Sequence, residues 1–359
     1  MNEHPGMPRV AVIIPTFNGQ QYVNELFGSI NASMYPKDRL GIFVIDNASR
    51  DAMLSRIVNI SALLPQLHVI KNPKNYYFAK AINQGAKAAI NKGYDVLFLL
   101  NQDTVLDADC IQRLVNALQS FDKDRTVVQA RMMIWPPESE RVNSLGNRIH
   151  YLGFGFSDGN GKEYAVSSVH GPAFWPVTYA SGGAMMVSAT LWEESGGFSE
   201  ILEMYHEDLE FGWRLNLSGG QSICVRDAIV YHKYNSSPSG YKYYFMERNR
   251  LLVMLMHYQS WTLFLLAPMA LVLEAGMLAF AIRNGWWKQK LRSYRDVLRL
   301  FPGVFAVRRK SMDARIKKDS EILQMMSSQI TDQPIPSTLL DRVGNPLMHI
   351  YYKCIRGLV

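Results

Sequence analysis

Short runs of consecutive apolar residues alternate with amphipathic segments in the first part of the chain. The runs VAVIIPTF from Val10, GIFVIDNAS, LHVIKNP and YDVLFLLNQDT from Tyr94 are mostly β-branched or aliphatic, which is typical of strands buried on both faces. Between them, YVNELFGSINAS and FAKAINQGAKAAINKG carry apolar residues at helical spacing. Because strands that alternate with helices build a parallel sheet, the pattern predicts an α/β fold with an open, mostly parallel central sheet.

Polar residues stand directly after three of the predicted strands. They are Pro15, Thr16, Asp46, Asn47, Asn101, Gln102 and Asp103. Since open parallel sheets bind ligands beyond the carboxyl ends of their strands, we expect these side chains to share a cleft. Asn101 and Asp103 are alternate residues whose side chains point the same way and can offer two oxygens to one hard cation. Helix N-capping is the alternative role for Asp46.

The second half of the sequence has a less regular pattern. DADCIQRLVNALQSF predicts a helix, whereas residues 131–177 are rich in Gly, Pro and aromatic residues and predict loops around a cleft. YASGGAMMVSATLWEESGGF predicts a strand or tight turn followed by a short helix, and HEDLEFGWRLNLSGG predicts a helix closed by glycine. A β-rich run then ends at His232, whose place after a strand suits a ligand, although a lone histidine is more often a packed residue.

The stretch MYHEDLEFGWRL places four ionisable residues between aromatic ones: His206, Glu207, Asp208 and Glu210. On one interpretation it is an exposed helical turn whose acids face water and whose Glu210 pairs with Arg214. On the other, the acids are gathered in a functional site, because burying carboxylates in an apolar setting costs free energy. The residues alone leave both interpretations open.

A long apolar segment occupies residues 258–282, with Pro268 and Glu274 as interruptions. Its length is close to the roughly 20 residues that a membrane span needs. A basic flank with Trp286 and Trp287 follows, as is common at membrane interfaces. Three arrangements fit this pattern: a single span, a helix in the plane of the membrane, and a soluble helical hairpin.

Length and charge suggest a second, membrane-associating part of the chain. The 359 residues are enough for two domains, and the change in composition predicts a first domain at 1–240 and a helical apolar and basic region at 241–359. The net charge of +7 is concentrated in residues 283–318, beside the apolar segment, so a lipid surface is a better partner than nucleic acid. Widely spaced cysteines and an N-terminus without a signal pattern predict the cytoplasmic face of a membrane.

Several short motifs occur along the chain in a fixed order. They are PTFN, VIDNASRD, NYYFAKAINQG, LLNQDT, SGGAMMV, GGFSEILEMYHEDLEFGWRL and YHKYNSS. In this order, over roughly residues 9–250, the sequence resembles the family 2 glycosyltransferases. The resemblance implies a GT-A fold and an inverting transfer from a nucleotide-diphosphate sugar. The DNAS and NQDT forms look most like the subgroup that uses deoxythymidine-diphosphate rhamnose in surface polysaccharide assembly.

The resemblance also implies roles for individual residues. Asp208 would be the catalytic base, supported by Glu207, and Asp103 and His232 would hold a Mg²⁺ or Mn²⁺ ion on the diphosphate, a ligand set that suits these ions. The residues on the side of the donor, a dTDP- or UDP-sugar, would be Pro15, Thr16, Asn18, Asp46, Asn75, Lys80, Asn101, Gln102, Asp103 and Arg248. The side of the acceptor, a lipid-linked or cell-surface glycan, would be shaped by Ser181, Gly182, Gly183 and Trp213.

Two residues depart from the family pattern, and two more have structural alternatives. Tyr77 stands where relatives often have glycine, which affects the shape of the donor-side loop. Asn101 stands where many relatives have aspartate, which affects the affinity for metal. Arg248 could instead neutralise a helix surface, and Trp213 could instead pack in the core.

Two other functions fit parts of the sequence. A sugar nucleotidyltransferase would need a glycine-rich, basic phosphate loop after the first strand, where only Gly19 is present. A non-catalytic nucleotide-sugar-binding subunit would bind the donor without turnover while anchoring a partner enzyme at the membrane. The intact Asp208 argues against this second alternative.

Overall fold

The first apolar runs form the parallel half of a central sheet. A computed structural model of the chain describes residues 6–164, 171–233, 240–331 and 338–359. The strands of this half are β1 (Val10–Thr16), β2 (Leu40–Asp46), β3 (Leu67–Lys71) and β4 (Val96–Leu100). They lie parallel in the order β3-β2-β1-β4, as the alternation of strands and helices predicts.

The sheet continues beyond β4 with strands that the sequence pattern resolves less well. These are β5 (Thr104–Leu106), β6 (Thr126–Ile134), β7 (Val142–Ser144), β8 (Asn147–Ile149), β9 (Gly155–Ser157), β10 (Phe174–Val177), β11 (Ala184–Ser188) and β12 (Gln221–His232). The main order after β4 is β11-β6-β12-β10, with β11 and β10 antiparallel to their neighbours. Most strands on this path point the same way, which confirms the predicted mostly parallel α/β sheet.

Helices cover both faces of the sheet. The helices packed on it are α1 (Val23–Asn31), α2 (Met53–Ile60), α3 (Tyr77–Asn91), α4 (Cys110–Gln119), α5 (Ala189–Ser195) and α6 (Glu207–Leu217). Val10, Val12 and Ile14 of β1 pack with α1, α2 and α4, whereas Ala11 and Ile13 pack with α3, α5 and α6. Both faces of β1 are therefore buried, which explains its uninterrupted apolar sequence.

The remaining helices form a layer against α6. They are α7 (Gly240–His257), α8 (Ser260–Arg283), α9 (Trp287–Asp313), α10 (Asp319–Met325) and α11 (Asn345–Ile355). Leu209 and Trp213 of α6 share one apolar core with Leu252 of α7, Met269 of α8 and Val304 of α9. The helices after the predicted boundary at residue 240 are therefore packed directly on the helix that begins at Glu207.

Register brings the polar ends of the central strands level with one another. Thr16 at the end of β1 lies opposite Asp46 at the end of β2. On the other side of β1, Ile13 lies opposite Leu99, so that Asn101 and Asp103 follow at the same edge of the sheet. This edge is where the cleft opens.

Candidate active site

A cavity of about 860 Å³ lies at the carboxyl ends of β1 and β4 and is closed on the far side by α6. Many of the predicted site residues line it: Pro15, Thr16, Asn75, Asn101, Gln102, Asp103, Ser181, Gly182, Gly183, Glu207, Asp208 and His232. Residues separated by more than a hundred positions in sequence are thus brought to one cleft. Of the residues that the sequence predicts to share a cleft at the strand ends, all but Asp46 line it.

Asp103 and His232 form the most closely defined pair in the cleft. The Nε2 atom of His232 lies 3.2 Å from a carboxylate oxygen of Asp103, and its Nδ1 atom lies 2.9 Å from the amide oxygen of Asn143. If Nδ1 carries the proton, its N–H donates a hydrogen bond to the amide oxygen of Asn143, and the lone pair of Nε2 faces Asp103. In metal sites, a histidine ligand is usually oriented by a hydrogen bond from the ring nitrogen that does not bind the metal, as Nδ1 makes here with Asn143.

The two side chains by themselves make an incomplete metal site. Across the described residues, no group of three or more His, Cys, Asp and Glu is placed to hold a metal ion. A carboxylate and an imidazole are nevertheless suitable donors for Mg²⁺ or Mn²⁺ when further oxygens come from phosphate and water. The two side chains therefore fit an ion whose other ligands are oxygen atoms.

Asp208 lies in the first turn of α6 and is held by two backbone donors. Its Oδ2 atom accepts a hydrogen bond from the Gly182 N–H at 3.0 Å, and its Oδ1 atom accepts one from the Leu209 N–H at 2.8 Å. A Cβ atom at position 182 would lie 3.2 Å from the ring of Phe78, so a larger residue there would require the ring to shift. The Ser181-Gly182-Gly183 turn thus positions the carboxylate of Asp208.

Glu207, next to Asp208, has a different environment. It is buried, and within the described residues its Oε2 atom has no hydrogen-bond partner. Burial, and then the neighbouring charge of Asp208, raise the pKa of Glu207 well above its usual value. Burial also raises the pKa of Asp208, but the N–H groups of Gly182 and Leu209 oppose this rise by stabilising the charged form. Of the two acids, Asp208 is therefore the one that ionises first.

The remaining acid of the stretch is structural. Glu210 is fully buried, and its carboxylate contacts Arg214 and His257, each at 3.0 Å. Burial alone would raise the pKa of Glu210, but the two bases outweigh it and lower the pKa to about 2. The pairing with Arg214 is as predicted, but the interpretation as an exposed helical turn is wrong, because helices α7 and α9 cover this face.

The chain enters α6 through a backbone in an unusual conformation. Glu203, Tyr205 and His206 have φ angles of 61°, 64° and 67°, in the left-handed region that non-glycine residues rarely adopt. Each such residue costs on the order of 1–3 kcal/mol and persists only where surrounding contacts hold it. The entry to the helix that carries Asp208 is therefore a strained segment.

Two adjacent residues of α7 hold this strained segment in place. The amide nitrogen of Asn249 lies 2.7–2.9 Å from three backbone carbonyls, those of Leu202, Met204 and Tyr205. Arg248 donates to the Glu203 carboxylate at 2.7 Å and to the Leu202 carbonyl at 2.8 Å. Both side chains are buried. Together they fix the backbone that sets the position of Asp208.

The structure places five predicted site residues outside the lining of the cleft. They are Asn18, Asp46, Lys80, Trp213 and Arg248. Asp46 is buried directly behind Thr16, 3.4 Å from its hydroxyl, so it remains next to the cleft. The Lys80 ammonium lies over the ring of Tyr76, and Asn18 accepts a hydrogen bond from the backbone of Arg50.

Trp213 and Arg248 have the structural roles that the sequence leaves open for them. Trp213 is fully buried, with its ring packed against Tyr258 and His257 at centroid distances of 4.7 and 5.7 Å. It therefore cannot serve as a sugar platform without a rearrangement of the core. Arg248 uses its guanidinium on Glu203 and backbone carbonyls, as described above, and supports the site from behind.

Several residues that the sequence analysis does not single out also line the cleft. One group is polar and comes from the segment around β7, β8 and β9: Asn143, Ser144, Asn147, Ser157 and Asn160. Two aromatic residues, Tyr205 and Tyr241, form part of the same lining, beside Tyr77, which the sequence analysis does name. Isolated Asn, Ser and Tyr residues in an irregular segment give no periodic signal, so only the folded chain shows them as one wall.

Replacing Asn249 with leucine is expected to lower kcat by about 10- to 100-fold, because a shifted α6 entry misplaces Asp208. The donor Kd should stay within a few fold, since Asn249 does not line the cleft. Steady-state kinetics and donor calorimetry separate the two effects, with Asn116→Leu on an exposed part of α4 as the matched control. An unchanged kcat in folded Asn249→Leu protein would show that Asn249 does not position Asp208.

Comparisons with known proteins agree with this geometry. The model of glycosyl transferase family 2 matches residues 11–175, and the model of glycosyl transferase family group 2 matches residues 96–287, which is more than half of the chain. The chain therefore belongs to the family 2 glycosyltransferases and is a glycosyltransferase, as the motif order predicts.

Individual relatives are distant from this chain. The low-salt glycan biosynthesis hexosyltransferase Agl10 of Haloferax volcanii is 23% identical over 251 residues, which cover 68% of this chain and 74% of that protein. An undecaprenyl-phosphate mannosyltransferase of Micrococcus luteus is 25% identical over 142 residues, which cover 39% of this chain and 57% of that protein.

A solved structure shows the same fold over most of the chain. The mannosyltransferase PcManGT of Pyrobaculum calidifontis, in complex with GDP-Man and Mn²⁺, superposes with a TM-score of 0.51 at 18% identity and covers 86% of each chain. The predicted GT-A fold with a C-terminal helical region is thereby confirmed.

Proposed function

We propose that this protein is an inverting, metal-dependent glycosyltransferase that moves a sugar from a nucleotide-diphosphate donor to a lipid-linked or cell-surface glycan. The observation that carries the proposal is the placement of Asp208 in one cleft with Asp103 and His232. A base for the acceptor and a site for the donor diphosphate are the two parts that such a reaction needs.

The donor would occupy the half of the cleft at the strand ends. Pro15, Thr16 and Asp46 would hold the nucleoside, with Thr16 in the lining of the cleft and Asp46 hydrogen-bonded to its hydroxyl. Asp103 and His232 would hold a Mg²⁺ or Mn²⁺ ion, and such an ion supplies electrostatic stabilisation for the departing diphosphate. The Mn²⁺ in the related mannosyltransferase structure supports this assignment.

Asp208 would act on the acceptor. Its carboxylate takes the proton of the acceptor hydroxyl while that oxygen bonds to the anomeric carbon and the bond from this carbon to the diphosphate breaks. Attack from the side opposite the leaving group inverts the anomeric centre. Glu207 remains protonated while Asp208 is ionised, so it does not compete as the base.

The finer identity of the donor sugar rests on the sequence motifs. We include deoxythymidine-diphosphate rhamnose in the proposal because the DNAS and NQDT motifs resemble the subgroup that uses it. The relatives described above transfer hexoses, including mannose, so GDP-mannose and UDP-sugars are the comparison donors. Transfer of label from each donor to a polyprenyl-diphosphate-linked sugar tests this directly, and rhamnose transfer in preference to the others is the expected result.

The acceptor part of the proposal places the enzyme at the cytoplasmic face of a membrane. One helix in the described part of the chain, α8, is long and apolar enough to cross a bilayer, with a mean hydropathy of 2.1. The undecaprenyl-phosphate mannosyltransferase among the relatives acts, by its name, on a lipid phosphate. A polyprenyl-linked acceptor would be presented at the same surface that such an apolar helix contacts.

The raised pKa of Asp208 makes a prediction about pH. A base works only when deprotonated, so kcat/KM should fall as pH decreases through the pKa of Asp208. Because burial raises that pKa, the fall should occur at a higher pH than for an ordinary aspartate. A pH profile of kcat/KM measures this. An acid limb at or below the ordinary aspartate value would contradict the assignment of Asp208 as the base.

A further inference from the structure

Helix α9 exposes an apolar stripe to solvent along most of its length. The stripe repeats at intervals of three, four or seven residues, which is one face of a helix. Its members are exposed by 41% at Trp287, 46% at Leu291, 75% at Leu298, 41% at Phe301 and 55% at Phe305. Another face of α9 is already occupied, because Val297 and Val304 pack in the core that α9 shares with α7. The exposed stripe is therefore additional to what the fold requires.

Helix α8, antiparallel to α9 across a short turn, also exposes apolar side chains. Trp261, Phe264, Leu271, Val272 and Ile282 are all more than half exposed. Only 11% of the most apolar part of this helix is buried within the protein. We refer to these side chains and the α9 stripe together as the α8–α9 surface. Monomeric soluble proteins rarely leave an apolar surface of this extent open to water.

A row of basic residues runs beside the apolar stripe. Lys288, Arg292, Arg295 and Arg299 each follow an apolar or aromatic position of α9 by one residue. The side chains of Arg292, Arg295 and Arg299 are 61%, 59% and 71% exposed, and all three are near the single carboxylate of Asp296. The row therefore keeps a net positive charge.

The α8–α9 pair cannot cross a bilayer in this conformation. Glu274, in the middle of α8, accepts hydrogen bonds from Arg250 of α7 and from Lys290 and Tyr294 of α9. Glu247 of α7 joins the same network. Moving α8 into the hydrocarbon would break this network, and moving α9 with it would carry its arginines into the hydrocarbon.

We infer that the α8–α9 surface is a docking site for an anionic bilayer, with both helices lying in the plane of the membrane interface. An apolar stripe beside a basic row is the pattern of helices that insert their apolar side chains into the headgroup region. A second copy of the chain is a poorer occupant, because a symmetric contact would bring the basic rows together. Of the three arrangements that fit the sequence, this inference selects the helix in the plane of the membrane.

The docking would also fix the orientation of the cleft. Helix α9 packs on α7, and α7 carries Arg248 and Asn249, which hold the entry to the helix of Asp208. The membrane surface and the base are therefore linked through one rigid layer of helices. That this orientation serves a lipid-linked acceptor rests on the proposed function, whereas binding to the bilayer does not.

Vesicle flotation tests the inference without any sugar chemistry. Full-length protein should float with phosphatidylcholine vesicles that contain about 30% phosphatidylglycerol and much less with phosphatidylcholine alone. About 0.5 M NaCl should weaken the binding, and alkaline carbonate should release the protein. Leu298→Glu combined with Phe301→Glu should reduce flotation by at least about tenfold. Val58→Glu, on a 64% exposed residue of α2, is the matched control and should float normally.

Three results would overturn the inference. Resistance to alkaline carbonate would indicate a span, and flotation of the double variant at the level of Val58→Glu would place the contact elsewhere. A dimer by light scattering that Leu298→Glu converts to a monomer, without flotation of either form, would assign the surface to a second copy. Donor calorimetry on the same variants should be unchanged, so a failure of membrane docking is distinct from a failure of the glycosyltransferase proposal.

Discussion

Replacing Asp208 with asparagine is expected to reduce kcat by about 10²- to 10⁴-fold, the range for loss of a general base. Asparagine has a similar shape and can still accept a hydrogen bond from the Gly182 N–H, but it cannot take the proton of an acceptor hydroxyl. The donor Kd should remain within a few fold, because the proposed donor contacts lie at the strand ends. Steady-state transfer assays and donor calorimetry measure the two quantities.

Glu207→Gln is the matched control for this prediction. Glu207 is an adjacent acid in the same cleft, and its raised pKa keeps it protonated when Asp208 is ionised. A raised folded-state pKa of an acid means that stability is lost as pH rises through that pKa, so glutamine should remove this loss at alkaline pH. Glu207→Gln should keep most of its activity and be at least as stable at pH 8. Equal loss of activity in both variants would reject the separate roles of the two acids.

Asp103→Ala is expected to have the second largest effect, weakening metal-dependent donor binding by at least about 10- to 100-fold. The variant removes the carboxylate that lies 3.2 Å from the Nε2 atom of His232. This carboxylate is one of the two proposed protein ligands of the metal ion. Chelation of the metal by EDTA should weaken donor binding to the wild-type protein by a similar factor. In Asp103→Ala protein, EDTA should then have little further effect.

Asp107→Ala is the matched control for the metal prediction. Asp107 follows β5 in the same segment, does not line the cleft, and accepts a hydrogen bond from the Ala108 N–H. Its replacement should leave the metal dependence of binding unchanged. Unchanged metal-dependent binding in Asp103→Ala protein would reject the proposed site at Asp103 and His232.

The sequence predicts the parallel half of the sheet well and the other half poorly, for a physical reason. Strand β1 is buried on both faces and therefore reads as a continuous apolar run. Strand β6 is also central, but Gln129 and Arg131 interrupt its apolar pattern. Gln129 is tolerated because its oxygen accepts a hydrogen bond from the Ser181 N–H at 2.7 Å. No local pattern can indicate that partner, which lies 52 residues away.

Most of the predicted residues that follow a strand line the cleft, although Asn18 and Asp46 do not, and Arg248 on α7 lies outside it. Asp103 and His232 meet because Asp103 directly precedes Thr104, which lies opposite His232 where β5 pairs with the end of β12. Arg248, in contrast, is buried by the loop before α6, and a charged residue in an amphipathic-looking segment gives no indication of this in the sequence. The contacts of Arg248 with Glu203 and Leu202, which give it a structural role, are visible only in the folded chain.

The departure at Tyr77 has a structural counterpart. Its φ angle of 62° lies in the left-handed region, which glycine adopts without the steric cost that a tyrosine side chain carries. The ring of Tyr77 packs against Phe245 at a centroid distance of 5.4 Å and lines the cleft. The strain thus places an aromatic side chain at the edge of the cleft where glycine would leave open space.

Calorimetric binding of nucleotide diphosphates and their sugars, with and without Mn²⁺, tests the central proposal most directly. The panel should contain dTDP-rhamnose, UDP-sugars and GDP-mannose, with detergent-purified full-length protein in the cell. We predict selective, metal-dependent binding of one nucleotide-sugar, with weaker binding of its diphosphate alone. No binding of any donor to protein shown to be folded by circular dichroism would contradict the assignment of the cleft to a nucleotide-sugar.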